Sequence, residues 1–288
     1  MGSKKYSSIQ LRDYSSLFSR GQVQAWLEKD FSSIDARISR YFSQWPVSSS
    51  TTYLQYLKQV YWVIAQNYQN EYVIKNSFLN EWLIDELGHQ NSTVFNEFIV
   101  GDAIADLVMF NGVSKAFEIK TELDTDFRLD NQLQNYRKAF NELYIIIPES
   151  KLKQYENYDS DIGIIVYKED THSKFRRHRS ALKNDVVDPH TIMEILHTKE
   201  YKKVVKAHYG YLPEMTCFNQ FRICSQLIQE IPSTELNQYF IDQMKSRRME
   251  NFYSKRYFTE LNQLFLSLKM GKTTRKKLVD NLKSPVRI

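Results

Sequence analysis

The stretch "AIADLVMFNGVSKAFEIKTELDT", residues 103–125, contains two short apolar segments on either side of an Asn-Gly pair. Asn111-Gly112 is a strong short-range signal for a β-hairpin turn, and the flanking residues favour strands. Asp106, Glu118 and Lys120 lie in or beside the two segments. A hairpin places the start of its first strand beside the end of its second. The sequence therefore predicts that these three charges meet at one end of a sheet.

Alternation along the second strand puts Glu118 and Lys120 on one face and directs Ile119 into the core. Two neighbouring carboxylates repel each other unless a proton or a cation intervenes. Mg²⁺ or Mn²⁺ suits such a pair, because a hard cation takes carboxylate oxygens, keeps several waters and accepts phosphate oxygens. The Ile119 carbonyl would add a ligand, and Lys120 would activate water or neutralise charge on a phosphoryl transition state. This pattern predicts metal-assisted cleavage of a phosphodiester bond.

Further strands are predicted on both sides of the hairpin, at "STVFNEFIV", "ELYIIIP" and "DIGIIVY". Between the hairpin and the last two strands, "RLDNQLQNYRKAFN" has the apolar spacing of a helix. This order predicts an α/β fold with a mixed sheet, in which an antiparallel hairpin leads through a helical crossover to a further strand.

The regions that flank this core have helical apolar spacing. We expect a helical N-terminal region at residues 1–75, a core at 76–170 and a basic helical region at 171–288. The core begins with a helix, "NSFLNEWLIDELG", whose Gly88 occupies the usual C-terminal position. The segment "THSKFRRHRSALK" reads as a basic loop in a part of the chain that otherwise turns helical.

The positive charge of the chain is concentrated near its end. The 288 residues carry a formal charge of +5, and residues 241–288 contain 12 Lys and Arg against 4 Asp and Glu. Such a cluster suits a polyanion, since each neutralised phosphate releases counterions. A solvated face of a terminal helix explains the same charges equally well.

Cys217 and Cys224 are expected to be buried free thiols, because seven residues on one helix separate them by about 10 Å. The first residues lack the apolar segment of a secretory signal. No apolar run approaches the ~18 residues that span a bilayer. We therefore expect a cytoplasmic protein with no membrane partner.

Asp106 followed after a hairpin by Glu118-Ile119-Lys120 resembles the PD-(D/E)XK nuclease superfamily, which has the restriction-endonuclease-like fold. Gln132 and Tyr136, in "QLQNY", are similar to the Q-x-x-x-Y motif of its RecB-like branch. The resemblance covers residues 77–167, and it departs from the literal motif because alanine precedes Asp106. A group of bacterial proteins with an "EIK…D…RL…Q…Y" run is also similar.

The resemblance implies that Asp106 and Glu118 bind Mg²⁺ or Mn²⁺, that Lys120 activates water, and that Gln132 and Tyr136 support the site. It also implies a further acidic ligand from the preceding helix. Glu81 is our candidate for that ligand, with Glu97 and Glu86 as rivals. The basic residues expected to contact nucleic acid are Arg128, Arg176, Arg177, Lys272, Arg275 and Lys276.

DNA is the expected substrate, and RNA is an alternative. Three other functions stay open: a non-catalytic nucleic-acid-binding module with a nuclease fold, an RNA-directed nuclease, and a helical interaction protein with an incidental hairpin. A homodimer is compatible with the sequence, which leaves the oligomeric state undetermined. Defence against foreign DNA, mobile-element biology and repair all fit such an enzyme.

Overall fold

The computed structural model of the protein describes residues 6–43, 46–83, 92–122, 124–125, 127–168, 174–247 and 258–287. The chain divides into two compact units, one made of Met1–Ile84 and Glu250–Ile288 and the other of Asp85–Met249. This division differs from the three consecutive regions expected from the sequence, because the last helices belong to the same unit as the first.

The first unit begins with helices, as the sequence predicted. They are α1 (Ser8–Ser15), α2 (Arg20–Leu27), α3 (Ser32–Tyr41), α4 (Tyr53–Asn67) and α5 (Glu71–Ser77), with a π-helical segment, Phe78–Leu83, directly after α5. Helix α4 starts at a capping box in which the Thr52 hydroxyl accepts from the Gln55 N–H and the Gln55 side chain accepts from the Thr52 N–H. The predicted end of the helix at Gly88 lies outside the described residues.

The second unit contains a six-stranded mixed sheet, which confirms the α/β class. Its strands are β1 (Thr93–Val100), β2 (Ala103–Phe110), β3 (Ser114–Ile119), β4 (Glu142–Pro148), β5 (Gly163–Tyr167) and β6 (Phe175–Arg179). They lie side by side in chain order. Strands β3, β4 and β5 are parallel, and the pairs β1–β2, β2–β3 and β5–β6 are antiparallel. Between β3 and β4 the chain crosses over through α6 (Leu129–Tyr136).

Two tight turns set the register of the first three strands. Val100 pairs with Ala103, so Gly101 and Asp102 alone connect β1 to β2. Gly101 has φ +54°, a left-handed conformation that costs other residues steric energy. The predicted Asn-Gly turn joins β2 to β3, where Phe110 pairs with Ser114.

The sequence expectation for residues 171–180 was wrong, because β6 forms there as an edge strand antiparallel to β5. Its pattern "FRRHR" has a buried Phe175 followed by exposed basic residues, so it lacks the apolar alternation that reveals a strand. The strand forms because its backbone pairs with β5, and the side-chain pattern alone does not indicate this pairing.

The remaining helices of the described residues complete each unit. In the second unit they are α7 (Leu152–Tyr155), α8 (Pro189–Ile195), α9 (Thr198–Tyr209), α10 (Gln220–Gln229) and α11 (Ser233–Ser246), and in the first α12 (Asn262–Ser267) and α13 (Lys272–Leu282). Phe240 of α11 packs its ring 5.5 Å from that of Phe110, in one core with Leu133. In the first unit, Asn281 of α13 donates to the Trp26 carbonyl at 3.0 Å.

Both cysteines are free thiols, as expected, but Cys217 is exposed and only Cys224 is buried. Cys217 precedes α10 rather than lying on it. In the part of the chain that the structure describes, no helix combines the length and the apolar character that crossing a bilayer requires.

Candidate active site

Asp106 is half-buried in the middle of β2 and reaches across the hairpin. Its Oδ2 accepts a hydrogen bond of 2.8 Å from the Ile119 N–H. Because Leu107 pairs with Phe117, Glu118 is the next residue opposite Asp106 on the antiparallel ladder. Paired residues of such a ladder are close neighbours on one face. The structure thus brings together the two carboxylates that the sequence predicted to meet.

Glu118 is the centre of the cluster and is only 4% exposed. Its Oε1 accepts from Gln132 Nε2 at 2.6 Å and from Lys120 Nζ at 3.3 Å. Its Oε2 lies 2.9 Å from the Tyr136 hydroxyl. Every one of these partners was predicted from the sequence as a member of the site.

Helix α6 presents Gln132 and Tyr136 to the sheet because residues four apart share a helical face. Leu129 and Leu133, each 1% exposed, anchor the helix in the core. Gln132 uses both ends of its amide, since its Oε1 also accepts from Lys120 Nζ at 3.2 Å. It therefore positions the carboxylate and the ammonium relative to each other.

Tyr136 is both a core residue and a site residue, being 1% exposed. Its hydroxyl lies 2.7 Å from the Ile104 carbonyl oxygen and 2.9 Å from Glu118 Oε2. A hydroxyl donates only one proton. When Glu118 is ionised, the Tyr136 hydroxyl can donate to Glu118 Oε2 or to the Ile104 carbonyl, but not to both. When Glu118 is protonated, its carboxyl group can donate to the Tyr136 oxygen, and the Tyr136 proton is then available for the Ile104 carbonyl. The geometry thus favours a proton on Glu118.

The electrostatics of the site act in the same direction. Burial, then the Asp106 carboxylate, raise the pKa of Glu118 to about 7, whereas the charge of Lys120 and a hydrogen bond that Tyr136 donates to the ionised carboxylate oppose the shift. Burial and the charge of Glu118 raise the pKa of Tyr136, so its hydroxyl keeps its proton at neutral pH. A carboxyl group in this state is a common feature of functional sites.

Lys120 is held at the end of β3 with 6% exposure. Its N–H donates to the Ile146 carbonyl at 2.8 Å, which extends the parallel pairing of β3 and β4. Two of the three N–H bonds of its ammonium are directed at Glu118 and Gln132. A buried lysine with these partners is held in one conformation, unlike an exposed lysine, whose side chain is mobile.

Two carboxylates form the acidic part of the site. Among the described residues, no group of three or more His, Cys, Asp or Glu side chains is arranged to hold a metal ion. Mg²⁺ is often bound through only one or two carboxylates, with waters and substrate phosphates as its other ligands. The donor set of Asp106 and Glu118 therefore fits such an ion, and the Ile119 carbonyl remains a predicted ligand.

The expected third acidic residue remains a prediction. Glu81 lies on the π-helical segment of the first unit, whereas Asp106 and Glu118 belong to the second. Glu86 falls outside the described residues. Glu97 lies between the pairs Asn96–Leu107 and Phe98–Ala105, level with Asp106 on the neighbouring strand, and has φ +53°.

Two contacts near the site were missed from the sequence. Lys151 Nζ donates to the carbonyls of Thr121 and Asp124, each at 2.9 Å, and so secures the connection that follows Lys120. The side chain of Asn135 on α6 packs against Gly101, where an added Cβ would come within 2.6 Å of its Oδ1. Both contacts join residues far apart in the chain, and no local pattern indicates them.

The predicted basic residues of the second unit lie in two places. Arg128 is exposed immediately before α6. Arg176 and Arg177 are exposed on β6, where Arg177 pairs with Ile165. Three strand spacings separate β6 from β3, which is about 14 Å. Arg176 and Arg177 therefore lie on the same sheet as the cluster of Asp106, Glu118 and Lys120, but outside that cluster.

The other predicted basic residues are on α13, in the first unit. Lys272 and Lys276 are exposed. The Arg275 guanidinium lies 6.0 Å from the centroid of the Phe265 ring, so part of its role is to pack against the core of that unit.

Comparison with known proteins gives a family. The family model described as bacteriophage P4 protein cII matches residues 64–272, which is well over half of the chain. The chain belongs to the bacteriophage P4 protein cII family. The match includes the complete cluster of Asp106, Glu118, Lys120, Gln132 and Tyr136.

The individual proteins that are similar to this cII family chain match only part of it. Protein cII of Enterobacteria phage P4 is 32% identical over 98 residues, which cover 33% of this chain and 37% of the phage protein. A protein of unknown function from Silicibacter pomeroyi has a solved structure with 12% identity and a TM-score of 0.31, over 45% of this chain and 86% of its own. A TM-score this low does not establish a shared fold.

Proposed function

We propose that this chain is a Mg²⁺- or Mn²⁺-dependent nuclease that hydrolyses phosphodiester bonds, with DNA as its substrate. The observation that carries the proposal is the buried Glu118 carboxylate, which contacts Lys120, Gln132 and Tyr136 and lies opposite Asp106. The resemblance to PD-(D/E)XK nucleases supports it, because these residues are the ones that its motifs name.

Asp106 and Glu118 would hold the metal ion. When bound, the ion would polarise a phosphoryl oxygen and lower the pKa of a water molecule. The cation would also replace the proton that Glu118 otherwise retains, so burial of this carboxylate is compatible with metal binding. Tyr136 and Gln132 hold Glu118 in one rotamer, which keeps the two carboxylates in a fixed relation.

Lys120 contributes positive charge on the same face of the strand as Glu118. Its contacts with Glu118 and Gln132 fix the ammonium beside the carboxylate cluster. A positioned ammonium stabilises charge that develops on a phosphoryl group, and after losing a proton it can accept one from water. Either role requires the Lys120 ammonium to lie next to the Glu118 carboxylate, as it does here.

The exposed arginines Arg128, Arg176 and Arg177 suit binding of the phosphate backbone. Arg176 pairs with Val166 on the face of the sheet that carries Glu118, whereas Arg177 continues the row Ile119–Ile146–Ile165 on the opposite face. Phosphate contacts position a nucleic acid without reading its sequence. The proposal keeps the cytoplasmic location expected from the sequence.

Cleavage assays test the proposal directly. Plasmid DNA, single-stranded DNA and RNA are incubated with the protein and Mg²⁺, Mn²⁺ or EDTA. We expect metal-dependent cleavage that falls by about 10²-fold or more in Asp106→Ala and Lys120→Ala. Lys115→Ala is the matched control, because Lys115 is on the same strand and pairs with Glu142 at 3.6 Å instead.

Mn²⁺ binding to the wild type and to Asp106→Asn, followed by electron paramagnetic resonance, gives a readout that does not depend on turnover. If both aspartate and lysine variants cleave as well as wild type, the site assignment is wrong. Salt-sensitive binding of DNA without any metal-dependent cleavage would identify a non-catalytic module instead.

A further inference from the structure

Phe127 is an aromatic side chain that the fold leaves in solvent beside the candidate active site. It is 93% exposed and immediately precedes exposed Arg128 at the start of α6. Gln132 is about 4.5 Å along the helix axis from Leu129, and Phe127 precedes Leu129 by two residues. At about 3.4 Å per nucleotide of a stacked strand, such a separation is on the order of one to three nucleotides.

Described residues on both sides of Phe127 are held by contacts within the second unit. Before it, the Asp124 carboxylate accepts from the Thr121 N–H at 2.6 Å, and Lys151 donates to the carbonyls of both residues. After it, Leu129 is 1% exposed in the core of the second unit. These contacts define where the connection leaves the sheet and where the helix begins.

The surroundings of Phe127 distinguish between kinds of partner. Its described neighbours Asp124, Thr125, Arg128 and Asp130 are all exposed and polar. A protein partner is usually held by an aromatic anchor within a larger desolvated patch. An exposed ring next to Arg128, with polar residues as its described neighbours in the chain, instead suits a nucleotide, which offers a flat base and a phosphate together.

We propose that Phe127 stacks on an unpaired base of the substrate, about one to three nucleotides from the phosphodiester bond bound at Glu118 and Lys120. This inference rests on the proposed nuclease function. In a duplex each base is already stacked between its neighbours, so an external ring gains this contact only with an unpaired or displaced base. Phe127 thereby favours substrates that are single-stranded next to the cleaved bond.

Binding measured in EDTA separates this role from catalysis. Fluorescence anisotropy of a labelled single-stranded oligonucleotide and of a blunt duplex is recorded for wild type, Phe127→Ala and Phe127→Trp. We expect the alanine variant to bind the single strand about 10-fold more weakly, since stacking on one aromatic ring contributes about this factor. The tryptophan variant should restore binding, and duplex binding should change little.

Phe218→Ala is the matched control, because Phe218 is 96% exposed and lies before α10, far along the chain from the site residues. It should bind both substrates like wild type. A fluorescent adenine analogue placed along the oligonucleotide adds a direct test, because a stacked ring quenches its emission in wild type and not in Phe127→Ala.

Equal single-strand binding by wild type and Phe127→Ala would overturn the stacking role, as would wild-type protein that binds no nucleic acid. The two proposals fail separately. Metal-dependent cleavage that Phe127→Ala leaves unchanged on every substrate retains the nuclease and removes the stacking role. Phe127-dependent binding without cleavage retains stacking and removes the nuclease.

Discussion

Replacing Glu118 by glutamine should stabilise the metal-free protein at pH 8 far more than at pH 5. Glutamine has the shape of a protonated glutamate and keeps an acceptor for Lys120 and Gln132. Its amide can donate to the Tyr136 hydroxyl, which then donates to the Ile104 carbonyl. The variant therefore reproduces the hydrogen bonds of the neutral carboxyl group at every pH.

The magnitude follows from the pKa of Glu118, which is about 7 in the folded protein against an ordinary 4.5. Between these values the folded state holds a proton that the unfolded state has released, so stability falls as pH rises. Below pH 4.5 the carboxyl is protonated in both states and contributes no penalty. The penalty is complete above pH 7 and is about 3 kcal/mol, since one pKa unit corresponds to about 1.4 kcal/mol.

Urea unfolding in EDTA at pH 5 and pH 8 measures the effect. The gain of Glu118→Gln over wild type should be about 2–3 kcal/mol larger at pH 8 than at pH 5. Comparing the two pH values removes any pH-independent cost of the substitution, such as altered packing, whereas the attraction of the ionised carboxylate to Lys120 is already included in the pKa of Glu118. Glu149→Gln is the control, because Glu149 is an exposed carboxylate that pairs with Lys168 on the surface.

Two results would contradict this reasoning. A variant whose stability difference from wild type is the same at both pH values would show that Glu118 does not hold a proton in the folded protein. A gain that is smaller at pH 8 than at pH 5 would show that the folded protein stabilises the ionised carboxylate. Mg²⁺ at pH 8 should stabilise the wild type and not Glu118→Gln, because the ion replaces the proton.

Three further predictions concern the supports of the site. Tyr136→Phe should cost about 1 kcal/mol in urea unfolding at pH 5, because the Ile104 carbonyl loses the hydrogen bond from Tyr136; an unchanged midpoint would mean that this hydrogen bond is not formed. Gly101→Ala should cost on the order of 1–2 kcal/mol from its left-handed backbone alone, whereas Gly21→Ala, where the added Cβ meets nothing, should cost nothing by thermal melting. Lys151→Met should increase proteolytic cleavage of the connection after Lys120 while leaving the melting temperature nearly unchanged, because two hydrogen bonds from a partly exposed side chain to backbone carbonyls add little to global stability.

Local sequence patterns were sufficient for most elements of the sheet. The five predicted strands and the Asn111-Gly112 turn are present, because alternating apolar residues and turn chemistry are properties of a few consecutive residues. Strand β6 was not predicted, since a run of basic residues becomes a strand only through its pairing with β5.

The sequence by itself determined that Asp106, Glu118 and Lys120 could meet at the end of the hairpin through strand pairing, and the resemblance of "QLQNY" to the Q-x-x-x-Y motif added Gln132 and Tyr136. Only the tertiary structure decided how they interact. Burial of Glu118, the second acceptor that Ile104 offers to Tyr136, and the approach of Asn135 to Gly101 all depend on where α6 packs against the sheet. That position results from the sum of many contacts between distant residues, which no short segment of the chain contains.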